Sequence, residues 1–150
     1  MVEYFRKMFE YDDWANRRVL TILDGLPERE EKLMKITSHV FLAQRIWLSR
    51  IMPGKVALPS VSILSLEECH QALEELKNLW GDYLPTQTEA SLAGKITYKT
   101  LKGVPFETVL IDILTQLVTH GPYHRGQIAS LIKKAGGTPP ETDYIVFTRQ

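Results

Sequence analysis

Two histidines four residues apart, His120 and His124, continue an apolar helical stripe formed by Phe106, Leu110, Ile113, Leu117 and Leu131. Residues at i and i+4 lie one turn apart on the same helix face. Two neutral imidazoles at that spacing can chelate one metal ion. A third histidine, His39, falls beside Ile36, Ala43 and Ile46 and so faces inward on its own helix. Bundles build metal sites from side chains on facing helices. A lone histidine on an apolar face is most often a core residue with a hydrogen-bond partner. Two on one stripe compete for the few partners a core offers, and a third from another helix strengthens the metal reading further. Three imidazoles would leave a tetrahedral ion one open position, the pattern of a catalytic site. The expected cofactor is one divalent ion per chain, zinc or nickel, since imidazole suits both. The core is expected to fold without it.

The remaining chemistry-bearing residues read more plainly. His70 lies off its helix stripe beside Glu67 and Glu74 and is expected to face solvent. Cys69 lies on a stripe and reads as a small buried hydrophobe. Arg125 could hold an anionic substrate, but a charge following an inward histidine usually turns to solvent. Neither Glu107 nor Asp112 is expected to face the histidines, so no general base is evident. Pro122, between the two histidines, removes an amide hydrogen and clashes with the carbonyl of Val118. A kink is expected there, one that aims the imidazoles and makes room for a ligand.

Four long helices must position these residues. The first runs from about Val2 to Leu23, with Tyr4, Met8, Tyr11, Ala15, Val19 and Ile22 on one face. The second runs from about Glu28 to Ile51, with Leu33, Ile36, Val40, Ala43, Trp47 and Ile51. The third opens at a capping box, Ser65-Leu66-Glu67-Glu68, and ends at Pro85. The fourth starts near Pro105 and stops at Gly136-Gly137. Lys95 to Lys102 alternates as a short strand or hairpin arm, and Tyr144 to Thr148 forms an extended or irregular tail. The expected fold is all-α: one four-helix-bundle domain over residues 1–150, with long connections and a small extended segment before the last helix.

Composition narrows the function. The chain has 150 residues, 44% hydrophobic and 24% charged, which suffices for a core without disulfides. Eighteen basic residues balance eighteen acidic ones, and no basic stripe answers to a phosphate backbone, so no nucleic-acid binding is expected. A single cysteine fits a reducing compartment. The N-terminus has no apolar signal region and no run is long enough to span a membrane. A cytoplasmic protein with no membrane association is expected.

Several segments together resemble the DinB (damage-inducible) family. Thr119-His120-Gly121-Pro122-Tyr123-His124-Arg125-Gly126-Gln127 is similar to its His-Gly-x-x-His-Arg-Gly-Gln motif. Tyr11-Asp12-Asp13-Trp14-Ala15-Asn16 resembles its Tyr-x-x-Trp-Ala-Asn start, and Ser38-His39-Val40 through Trp47-Leu48 its second-helix motif. Thr97-Tyr98-Lys99-Thr100 and Gly103 through Phe106 match the segment before its last helix. The resemblance implies a four-helix bundle with a three-histidine zinc or nickel site, whose ligands fall on His39, His120 and His124. It also implies a homodimer and a superfamily that includes thiol-dependent transferases and isomerases. Two departures stand out: Tyr123, where many members have histidine, and Gln44, where many have an acid. The function this favours is a metal-dependent transferase moving a low-molecular-weight thiol onto an electrophile. A metal-dependent hydrolase is the alternative, and a non-catalytic, metal-stabilised binding bundle the third reading.

Overall fold

A computed structural model describes residues 1–150. Four long helices dominate it: α1 (Val2–Gly25), α2 (Glu31–Ile51), α3 (Leu66–Tyr83) and, after two short helices and strands, α5 (Leu110–Lys134). Each packs on two others, α1 and α2 both lying against α3 and α5. The short elements are α4 (Glu89–Leu92), β1 (Lys95–Lys99), β2 (Pro105–Val109) and α6 (Tyr144–Phe147). The chain is thus mostly helical with one small two-stranded sheet.

In α1 the buried line is Phe5, Phe9, Asp12, Asn16, Leu20 and Leu23, flanked by Tyr11, Ala15 and Val19. That line sits one residue on from the expected stripe, and Tyr4 is exposed. The shift is hidden in the sequence because two of its members are polar. In α2, Leu33, Val40, Phe41 and Leu48 fill the core, while Ile36, Trp47 and Ile51 are half-buried. The helix opens at Glu31, not Glu28. The α3 stripe is as expected, with Cys69, Leu73, Leu76 and Trp80 buried. Ser65 Oγ accepts from the Glu68 amide and Glu68 accepts from the Ser65 amide, the reciprocal bonds that start the helix.

The last long helix starts at Leu110 rather than near Pro105. Pro105 to Val109 is instead the second arm of an antiparallel hairpin, with Tyr98 opposite Phe106. Its β-branched and aromatic residues favour a pleated segment, and proline is tolerated at a strand's first residue. Phe106 therefore belongs to no helical stripe and is exposed. Gly103 turns the hairpin at φ +79°, in the left-handed region that glycine adopts without strain. α5 continues through Pro122 without interruption. The tail forms one helical turn, α6, against α1, where Tyr144 and Phe147 pack on the Tyr11 ring. No helix is long and apolar enough to cross a membrane.

The long α2–α3 connection is pinned next to the histidine of α2. Ser38 is fully buried, donates to the Met34 carbonyl and accepts from the Leu64 amide at 2.8 Å. Ser38→Ala leaves the buried Leu64 amide without a partner. Urea unfolding should show a loss of about 1–3 kcal/mol, the usual cost of an orphaned buried donor.

Candidate metal centre

The three predicted histidines meet at one point. His120 Nε2 lies 3.0 Å from His39 Nε2 and 3.0 Å from His124 Nε2. His39 comes from the middle of α2, and the other two from successive turns of α5. These ligand atoms form the chain's one group of three or more that could hold a metal ion. The site is shallower than expected. His39 is exposed and the other two are half-buried, because the most deeply buried line of α5 runs through Leu117, Gly121, Arg125 and Ile128 beside them. The histidines occupy the rim of the α2–α5 seam, open to a ligand from solvent.

Protons alone do not satisfy this arrangement. His124 Nδ1 donates to Gln127 Oε1 at 2.8 Å, so in the neutral ring Nε2 carries the lone pair. His120 Nε2 can carry at most one hydrogen for two neighbours. A cation at the shared point would serve all three lone pairs together. Ligand nitrogens of a tetrahedral zinc ion at about 2.0–2.1 Å lie roughly 3.3 Å apart, close to the two 3.0 Å spacings around His120, and all three ligand atoms lie within 4.8 Å of one another. Burial pushes His120 down to about 4, helped by repulsion from His124 and His39. Burial and His124 also lower His39. Both imidazoles are thereby held neutral near pH 7, the form that ligates.

Under the histidines lies a polar network that links all four long helices. Arg125, next to His124, is buried and donates to Asp12 Oδ1 and to Asn16 Oδ1. Asn16 and Gln44 both donate to Asp12 Oδ2, at 2.9 and 2.8 Å, and Trp80 Nε1 donates to Gln44 Oε1 at 2.8 Å. Arg125 does not turn to solvent, as its position in the sequence suggested, because a buried carboxylate on α1 claims it. Its Nε and second terminal nitrogen have no hydrogen-bond partner. The Tyr11 ring, 5.2 Å from the guanidinium carbon, offsets part of that cost. Gly121 makes the approach possible: a Cβ there would stand 2.3 Å from Asp12 Oδ1 and 2.9 Å from the Arg125 guanidinium. Sequence reasoning missed Asp12. Its signal was an Asp12/Asn16 pair at helical spacing inside an otherwise apolar helix face.

Other residues settle as follows. His70 is partly exposed and pairs with Asp24 at 2.9 Å. Cys69 is buried and its thiol is raised to about 11 by desolvation, which makes it inert as a nucleophile. Two cavities flank the network. The larger, about 260 Å³, lies between α1, α2 and α3 over Asp12, Gln44 and Trp80, and no histidine lines it. The other, about 230 Å³, adjoins His39 and His120 and is walled by Ile46, Trp47, Leu101 and Leu117. It is the one that touches the candidate metal ligands.

The DinB family model matches residues 1–150. The chain belongs to the DinB family. It is similar to Protein DinB of Bacillus subtilis (strain 168), 26% identical over 164 residues, which span 98% of this chain and 95% of that one. A crystal structure of a DinB-like protein from Bacillus cereus ATCC 10987 shares its fold, with a TM-score of 0.71 at 19% identity, covering 93% of this chain and 95% of that one. Several residues of the family-like motifs acquire physical roles here. Tyr11 supports Arg125 and donates to the Thr142 carbonyl, Asn16 bridges Asp12 and Arg125, and Gly121 admits the ion pair.

Two outcomes follow. Arg125→Met strands a buried carboxylate, so chemical denaturation should show a loss of about 3–5 kcal/mol. The double variant Asp12→Leu/Arg125→Met should lose less than the sum of the single losses. The second concerns pH in the metal-free protein. His120 is lowered on folding, so the unfolded chain takes up its proton first. The stability this contributes is complete above about pH 6.5, the ordinary histidine value. It is lost as pH falls towards about 4. Denaturation midpoints of wild type and His120→Asn should therefore respond differently to acid in that window.

Proposed function

We propose that this protein is a metal-dependent transferase that joins a low-molecular-weight thiol to an electrophilic substrate, with one zinc or nickel ion held by His39, His120 and His124. The observation that carries this reading is the meeting of three imidazole nitrogens whose protons cannot satisfy one another. The seating of four long helices, each on two others, supports a four-helix bundle as the scaffold.

The ion, when bound, would acidify a coordinated thiol or water at neutral pH. The chain's own residues decide which substrate is better served. His120 and His39 stay neutral and offer lone pairs rather than protons. Gln127 fixes the His124 ring so that Nε2 faces the shared point. Asp12, the nearby carboxylate, is engaged by Arg125, Asn16 and Gln44 and is poorly placed to accept a proton from water. Hydrolysis needs such a base, whereas thiol transfer needs less help because sulfur ionises more readily. In the transfer, a carbon–sulfur bond forms as the electrophile's leaving group departs, and the thiol proton goes to that group or to solvent. The apolar walls beside His39 and His120 would shelter the electrophile from water.

Elemental analysis of protein purified without chelators should give about one zinc or nickel per chain, absent from His120→Ala and His124→Ala. Gln127→Ala should weaken the metal by about 10–100-fold, the usual range for a residue that orients a ligand. With a panel of cellular thiols and a chromogenic electrophile, conjugation should require both thiol and metal. Thiol-independent cleavage of esters or amides would instead identify a hydrolase, and tight ligand binding without turnover a binding bundle.

A further inference from the structure

Arg50 is the cation in the cavity that contains the histidines, and no acid answers it. Trp47 and Arg50 follow His39 on the same face of α2, and all three line the cavity of about 230 Å³. The guanidinium carbon lies 4.5 Å from the Trp47 ring centre and 4.7 Å from that of Tyr98, which reaches across from β1. The two ring centres are themselves 5.0 Å apart. Three nearly equal distances place both rings to one side of the cation. Arg6, Arg17, Arg45 and Arg125 all pair with carboxylates, and none of the chain's ion pairs involves Arg50. Burial lowers the Arg50 pKa from the ordinary arginine value, which marks a cation partly withdrawn from water. The two rings offset part of the cost of that withdrawal, and an anion at the guanidinium would offset more.

We propose that Arg50 is the anion-reading residue of this pocket, and that the small molecule bound there carries a carboxylate at one end and its metal-binding atom at the other. This rests on the metal reading for one end of the ligand only. Arg50 is eleven residues beyond His39, a rise of about 16 Å along the helix, and its side chain leans back towards the N-terminus. The span between the ion and the guanidinium is then on the order of 10 Å. The walls between the two ends are mostly apolar, Gln116 being the one polar neutral side chain, and no second arginine or lysine lines them. One guanidinium matches one carboxylate, usually through paired hydrogen bonds. A phosphate monoester would bring a second negative charge with nothing to meet it. The hairpin has a part in this: Tyr98 packs on the cation and Leu101 lines the cavity.

The test uses 8-mercaptooctanoate, whose sulfur and carboxylate are about 10 Å apart when extended, against 8-mercaptooctanol and its phosphate monoester. Calorimetric titration of zinc-loaded protein should show the acid binding at least about tenfold tighter than the alcohol, a difference of ~1.4 kcal/mol. Arg50→Met should abolish that preference with zinc content and circular dichroism unchanged, and Arg50→Lys should retain part of it. Equal binding of acid and alcohol by the wild type, or a preference that survives Arg50→Met, overturns the proposal. So does tighter binding of the phosphate. Octanoate against octanol on the metal-free protein isolates Arg50 from the ion. A carboxylate preference there supports the role of Arg50 even if the protein takes up no zinc, and its absence overturns that role whatever the metal does.

Discussion

The ion pair between Asp12 and Arg125 sets the geometry on which the candidate site depends. It joins α1 to α5 in the interior, with the two side chains 6% and 2% exposed. Burying two charges is expensive, and hydrophobic replacements of similar size are often no less stable. What such a pair supplies is discrimination, since only one alignment of the helices satisfies it. Here the alignment extends through Asn16, Gln44 and Trp80 to every long helix. Sliding α5 along its axis by one residue, about 1.5 Å, would break these bonds together. Arg125 is bonded to His124 in the chain, and Gly121 to His120. The constraint that fixes the ion pair therefore also fixes where the two imidazoles stand against His39.

The network also sets the electrostatics around the histidines. Arg125 beside an incoming divalent ion would oppose it if its charge were free. Asp12 neutralises that charge within hydrogen-bond distance. Burial dominates the His120 shift, and the attraction of Asp12 is the smallest of its causes. A buried salt bridge and a metal site can then be neighbours. Gly121 is the steric condition for both, since any side chain at that position would collide with the carboxylate.

The sequence made legible those features that depend on spacing alone. Histidines at i and i+4, the third on a facing helix, the Ser65 capping box and the α3 stripe all follow from a period of 3.6. Features that depend on partners were hidden. Asp12 and Arg125 each look like surface residues, and only a partner more than a hundred positions away explains their burial. The buried line of α1 stands one residue on from its apolar stripe because it includes Asp12 and Asn16. Pro105 suits a helix start, a role proline fills well, yet the segment it opens pairs with β1. The depth of His39 was overestimated because apolar neighbours on a helix place a residue near a seam without saying which side of it is open.

The hairpin shows why the extended segment belongs with the site although it holds no ligand. α2 alone presents His39, Trp47 and Arg50 along one exposed edge, and a lone helix edge cannot enclose anything. β1 lies against α2, and β2 runs directly into α5, the helix that carries the other two histidines. The strand pair thus bridges the two helices that carry the three histidines of the candidate metal centre. Tyr98 meets Trp47 edge-on and lies under Arg50. Leu101, three-quarters exposed at the turn, lines the far wall of the cavity. A longer α5 starting at Pro105 would deprive β1, which carries Tyr98, of its pairing strand. The late start of α5, at Leu110, leaves Pro105–Val109 to pair with β1, and that hairpin helps convert a row of side chains on α2 into a pocket with two chemically distinct ends.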